Sequence, residues 1–83
     1  MNVTEVKIRK IENKGNLKAF ADITIDNCFV LHDIKLLLGK DEKFFISMPN
    51  KQMPDGSYKD IFHPINSDTR EQILNAIIKE YQV

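Results

Sequence analysis

Leu17, Ala19, Ala21, Ile23 and Ile25 alternate with Lys18, Phe20, Asp22, Thr24 and Asp26, a period of two that gives a strand one buried face and one polar face. Upstream, Val6 and Ile8 alternate with Glu5, Lys7 and Arg9 in a second strand, and Glu12-Asn13-Lys14-Gly15-Asn16 supplies turn chemistry between the two. A hairpin is predicted. Asp26-Asn27 is a two-residue connection to a third run, because both side chains tolerate the positive φ that mirror-image hairpin turns require.

The third run, Cys28-Phe29-Val30-Leu31, is apolar on both faces, and its pattern continues through His32-Asp33-Ile34-Lys35-Leu36-Leu37-Leu38 to Gly39. A short helix capped by Asp33 is the alternative for 33–38, but six residues are few for a helix, and one long kinked strand is the favoured reading. Gly39-Lys40-Asp41-Glu42-Lys43 turns the chain into a fourth strand, Phe44 to Met48, which Pro49 closes. Pro54-Asp55-Gly56 then marks the tip of an exposed hairpin arm, with a short returning strand from Tyr58 to Phe62. Ser67 or Asp68 is positioned to cap a final helix of about fourteen residues, with Glu71 three places after Asp68 as in a capping box. Ile73, Leu74, Ile77, Ile78 and Tyr81 fall on one stripe of it.

These elements predict a single α+β domain over residues 1–83, an antiparallel β-sheet of about five strands with one C-terminal α-helix. One helix covers one sheet face. Burying a Leu or Ile side chain contributes about 1.5–3 kcal/mol, so the two-sided strand at 28–31 predicts a homodimer that covers what the helix leaves exposed.

Composition narrows the function classes. The chain has 83 residues, 42% of them hydrophobic and 29% charged, the balance of a globular domain near the lower size limit for folding alone. A single cysteine, Cys28, closes no intrachain disulfide, and no Cys/His group has zinc spacing. No apolar run approaches the roughly 18–20 residues that cross a bilayer, and the Met1 to Glu5 start lacks signal-peptide order. The expectation is a cytoplasmic protein. Lys and Arg total 12, as do Asp and Glu, so net charge advertises no polyanionic partner. The zero is nonetheless a sum of blocks: residues 1–18 carry +3, 19–34 −3, 35–59 +2 and 60–83 −2.

Catalytic chemistry finds little support. His32-Asp33 has the residue types of a general-base pair, but neighbours on a strand point to opposite faces unless the strand is bulged. His63 precedes Pro64 at a strand-to-helix junction, and Cys28 reads as a small core hydrophobe. Gly15, Gly39 and Gly56 build neither a P-loop nor a dinucleotide fingerprint. No enzyme activity, metal, cofactor or small-molecule substrate is expected. The arm remains: Lys51, Gln52, Tyr58 and Lys59 flank its rigid turn and present cations and a ring as a phosphate-contacting loop does. Arg70, in the first turn of the last helix, adds a further cation.

Phe29-Val30-Leu31-His32-Asp33-Ile34-Lys35, Phe45-Ile46-Ser47-Met48-Pro49-Asn50-Lys51, Pro54 to Ile61, and His63-Pro64-Ile65-Asn66-Ser67 resemble, in order and spacing, the SpoVG family (stage V sporulation protein G). Val3 to Lys10 is similar to that family's first strand, so the resemblance spans nearly the whole chain. It implies a homodimeric α+β regulator that binds DNA and, in some members, RNA, and that is tied to sporulation, septum formation and gene regulation. It also implies contacts at Lys51 and Gln52, where the family commonly has two adjacent basic residues, and around Arg70. Gln52 removes one charge per subunit, and Asn50 stands where serine is usual. Each phosphate contact contributes roughly −0.9 to the salt slope on duplex DNA, so two lost contacts in a dimer flatten it by about 1.8. The competing expectation is a protein-interaction module in septation, working through the apolar strand edge or through Asp22, Asp26 and Asp33.

Overall fold

The structure, a computed structural model, describes residues 1–12 and 15–83. The turn expected at Glu12–Asn16 falls partly on residues 13 and 14, which lie outside the described residues. Four strands, β1 (Val3–Lys10), β2 (Leu17–Ile25), β3 (Phe29–Leu38) and β4 (Phe44–Ser47), form an antiparallel sheet in the order β1-β2-β3-β4. Two short strands, β5 (Asn50–Gln52) and β6 (Tyr58–Asp60), form a separate ribbon, and α1 (Ser67–Tyr81) closes the chain. The expected sheet of about five strands is therefore four strands plus a ribbon. Pro49 is the physical reason for the break, since it lacks the N–H that would carry the ladder from β4 into β5.

Period-two patterning decides which residues meet α1. In β2, Ala19, Ala21 and Ile23 are fully buried, and the register sets Ile8 against Ala21 and Val6 against Ile23. Ile34 and Leu36 of β3, Ile46 of β4, Met48, and Ile73 and Ile77 of α1 complete the core, with Leu74, Ile78 and Tyr81 packed against its margin. The helix stripe lies on the sheet as its spacing predicts. Tyr81 meets Phe44 edge to face at 5.6 Å between centroids, while the Lys10 ammonium stands 5.2 Å from the Tyr81 ring centre, which pins the end of the helix.

The turns follow local chemistry with two differences from expectation, at Cys28 and at the helix cap. Asp26 and Asn27 both take positive φ, 52° and 53°, and Cys28 donates its N–H to the Ile25 carbonyl, as a two-residue mirror-image turn requires. Cys28 itself is exposed at that turn. It is not a core hydrophobe, because the strand begins one residue later, at Phe29. The helix cap is Asn66, whose side chain accepts from the Thr69 N–H at 2.7 Å; Ser67 and Asp68 lie inside the first turn, so Glu71 is not in a capping box. In the β3–β4 turn the left-handed residue is Glu42, with φ 62°. Gly39 serves close approach, since a Cβ there would meet the Asp41 carboxylate at 2.9 Å.

The long strand β3 is kinked, as its sequence suggested. Ala21 pairs with Ile34 and Ile23 with Leu31, so β3 carries one extra residue at His32-Asp33. Asp33 takes φ 64° there, the signature of a bulge that re-aims side chains. Among the described residues no helix is long and apolar enough to cross a membrane.

Candidate nucleic-acid interface

The arm is built by its tip. Pro54 and Asp55 occupy the turn, Gly56 donates to the Met53 carbonyl at 2.9 Å, and the Met53 N–H donates to Ser57 at 2.7 Å. Gly56 has φ 89°, a conformation that a side chain strains. Asp55 Oδ1 accepts from the Ser57 N–H at 3.0 Å and from its hydroxyl at 2.6 Å. Those bonds hold the Asp55 carboxyl below its ordinary range, so the tip stays anionic while the stem is cationic.

In the stem, Lys51 is directly opposite Lys59 and Gln52 is opposite Tyr58. Alternation therefore sends the two lysines to one face of the ribbon and the Gln52–Tyr58 pair to the other. Like charges directly opposite each other destabilise an antiparallel pair, and neither lysine forms an ion pair among the described residues. Met53, Asp60 and Ile61 line a groove with them. Tyr58 is 69% exposed. Arg70 is set differently. It projects from α1 toward β4, where its Nη1 reaches the Ile46 carbonyl at 3.5 Å.

A second cluster escaped sequence reasoning. Arg9 binds Asp22 Oδ2 at 2.9 Å and Asp33 Oδ1 at 2.7 Å, and the bulged Asp33 N–H donates to Asp22 Oδ1 at 3.0 Å. The bulge also brings His32 Nδ1 to 3.4 Å from Asp22, so the imidazole meets a carboxylate from the next strand and not that of its neighbour Asp33. Burial raises the Asp22 carboxyl, but the Asp33 N–H, the His32 ring and the Arg9 guanidinium together outweigh it and hold it below its ordinary value. Asp22 is a staple across three strands. The acidic patch expected from Asp22, Asp26 and Asp33 is spent internally: two members hold Arg9, and Asp26 accepts the Asn2 N–H at 2.8 Å. The local signals were the kinked run and the His32-Asp33 pair, and which residues of neighbouring strands a bulge there brings together depends on register, which no spacing rule announces.

The family model for SpoVG matches residues 1–83. The chain belongs to the SpoVG family. Among its relatives, the "Putative septation protein SpoVG" of Caldicellulosiruptor bescii is 50% identical over 82 residues, covering 99% of this chain and 92% of the relative. The protein of the same name from Clostridium perfringens is 52% identical, covering 99% and 90%, and that of Thermoanaerobacter pseudethanolicus is 49% identical, covering 99% and 88%. Within a SpoVG chain the order of motifs now has a structural meaning. Phe29 to Lys35 is the bulged half of β3, Phe45 to Lys51 runs from β4 into the arm, and His63 to Ser67 leads to the helix cap.

Proposed function

We propose that this SpoVG chain is a small cytoplasmic, non-enzymatic regulator that binds nucleic acid as a homodimer and acts in septum formation, sporulation and the gene control around them. The observation that carries the reading is the cross-strand Lys51–Lys59 pair on an exposed ribbon. Two lysines directly opposite each other on the ribbon, neither in an ion pair among the described residues, weaken the hairpin, and a phosphate bound by both relieves the repulsion. Gln52 and Tyr58, on the other face, supply a hydrogen-bonding amide and a ring for short-range contact. Arg70, tied toward β4, is the weakest member of the footprint.

Dimerisation is supported by what one chain leaves uncovered. Phe29 is 70% exposed, Ile61 61% and Ile65 89%, and Phe62 and Pro64, next to Ile61 and Ile65 in the chain, line an apolar cavity with Ile25, Leu31 and Met48. A second chain seated there removes that surface from water and doubles the number of arms. The same surface favours the second reading, a protein-interaction module whose partner is another septation protein.

A fluorescence-anisotropy titration of duplex DNA against salt separates the two. Replacing Lys51 and Lys59 by Ala removes four contacts from a dimer and flattens the log–log slope by about 3.6. An unchanged slope would remove the arm from the site. Recovery of a protein partner, with no nucleic acid, in a pull-down from lysate kept free of nuclease would favour the interaction module.

A further inference from the structure

The uncovered face of the four-stranded sheet carries a second row of cations and a ring, leading away from the arm. The register sets Arg9 opposite Phe20, Phe20 opposite Lys35 and Lys35 opposite Ser47, one residue from each strand. The Arg9 guanidinium lies 6.0 Å from the Phe20 ring centre. Asp22 and Asp33 clamp it there, so its charge is spent while its plane stays fixed. Lys35 forms no ion pair among the described residues. Arg9, Phe20, Asp33 and Lys35 share a groove with Pro49 and Asn50, and Asn50 is the residue before Lys51. The groove therefore runs into the root of the arm.

We propose that this row is a subsite for single-stranded nucleic acid: one unstacked base lies on Phe20 beside the fixed Arg9 plane, its phosphate meets Lys35, and the strand continues to Lys51 and Lys59. The proposal rests on the nucleic-acid reading of the arm and names the substrate class. The major groove of an unbent duplex admits a helix or a two-stranded ribbon, whereas a four-stranded face can stack splayed bases, since every base has a π-face. Asp33 lies in the same groove and shares Arg9 with Asp22, so that cluster keeps one negative charge and the phosphate is met by Lys35 alone. A second copy of the chain is the less suited occupant. Interface cores are depleted of charge, and this face carries Lys7, Arg9, Asp22, Asp33 and Lys35 around its exposed Val30 and Phe45, while the more exposed Ile61 and Ile65 lie after β6.

The test is anisotropy with mixed-sequence DNA and RNA single strands of about 20 nucleotides and the matching DNA duplex, on wild type, Phe20→Leu, Lys35→Gln and the Lys51→Ala/Lys59→Ala double variant. The expected result is that Phe20→Leu weakens single-strand binding about tenfold, Lys35→Gln weakens it and lowers its salt slope by about 0.7 for each subunit the strand engages, about 1.4 for a dimer, and neither changes duplex binding. Single-strand affinity unchanged in both variants, with the double variant still weakened, overturns the subsite and leaves the arm standing. Wild type binding neither probe overturns the arm reading as well. A shift of Phe20→Leu from dimer to monomer in sedimentation assigns the face to a second copy and overturns the subsite. If Phe20→Leu fails to fold, photocrosslinking of an iodouracil-substituted strand decides: a crosslink at Phe20 supports the subsite, and crosslinks confined to the arm overturn it.

Discussion

Asp22 shows how one side chain can organise three strands. Its side chain is only 13% exposed and serves Arg9, the bulged Asp33 N–H and the His32 ring. Its carboxyl is depressed in the folded state, so the stability it contributes is present above its unfolded value, 3.8, and is lost as pH falls through the lower folded value. Thermal unfolding of wild type should show stability falling below about pH 4, and Asp22→Asn should be less stable at neutral pH by about 1–3 kcal/mol with a flatter acid limb. An unchanged limb would place the acid sensitivity elsewhere. Asn66 offers a second test at this scale. Asn66→Ala removes the bond to the Thr69 N–H and should cost about 0.5–2 kcal/mol, whereas Ser67→Ala and Asp68→Ala leave that cap in place. A denaturant titration in which Ser67→Ala or Asp68→Ala costs more than Asn66→Ala would contradict the cap assignment.

Elements in this protein are joined by side chains that the strand and helix periods had already sorted. Ile77 of α1 is fully buried in the core that includes Ala21 and Ile23 of β2. Ile77→Ala should therefore cost about 2–5 kcal/mol, a large share of the 5–15 kcal/mol typical of a whole domain. Ile78→Ala, at a partly buried position on the same helix, should cost less. Equal losses in chemical denaturation would mean that α1 sits on the sheet with a different face. The arm obeys other rules. It holds its shape through the Pro54 to Ser57 hydrogen bonds and the left-handed Gly56, so Gly56→Val should deform the tip at an expected local cost of about 1–2 kcal/mol. Amide exchange should quicken in β5 and β6 while the four-stranded sheet keeps its protection.

For the whole molecule, the exposed Phe29, Ile61 and Ile65 set an expectation for assembly. Sedimentation of wild type at micromolar concentration should give a dimer, and Ile65→Glu should shift it toward monomer without loss of sheet content by circular dichroism. A wild-type monomer would sink the dimer and leave each chain one arm. Nucleic-acid affinity should fall with it, since two arms on one strand gain from effective concentration.

Strand β2, the helix stripe, the Asp26-Asn27 turn and the Pro54-Asp55-Gly56 tip were legible in the linear sequence, because period, turn residues and proline act over a few neighbouring positions. Family membership was legible for the same reason, as motifs in fixed order. Other features required strands distant in sequence to be laid side by side. Register placed Lys51 against Lys59, set Arg9, Phe20 and Lys35 in one row, and put the bulge where Asp22 could meet both Arg9 and His32. Cys28 reads apolar in the chain, yet it lies in an exposed turn because the strand starts one residue later. Local pattern determines which elements form; only the packed sheet decides which charges they bring together, because that depends on contacts between residues far apart in the chain.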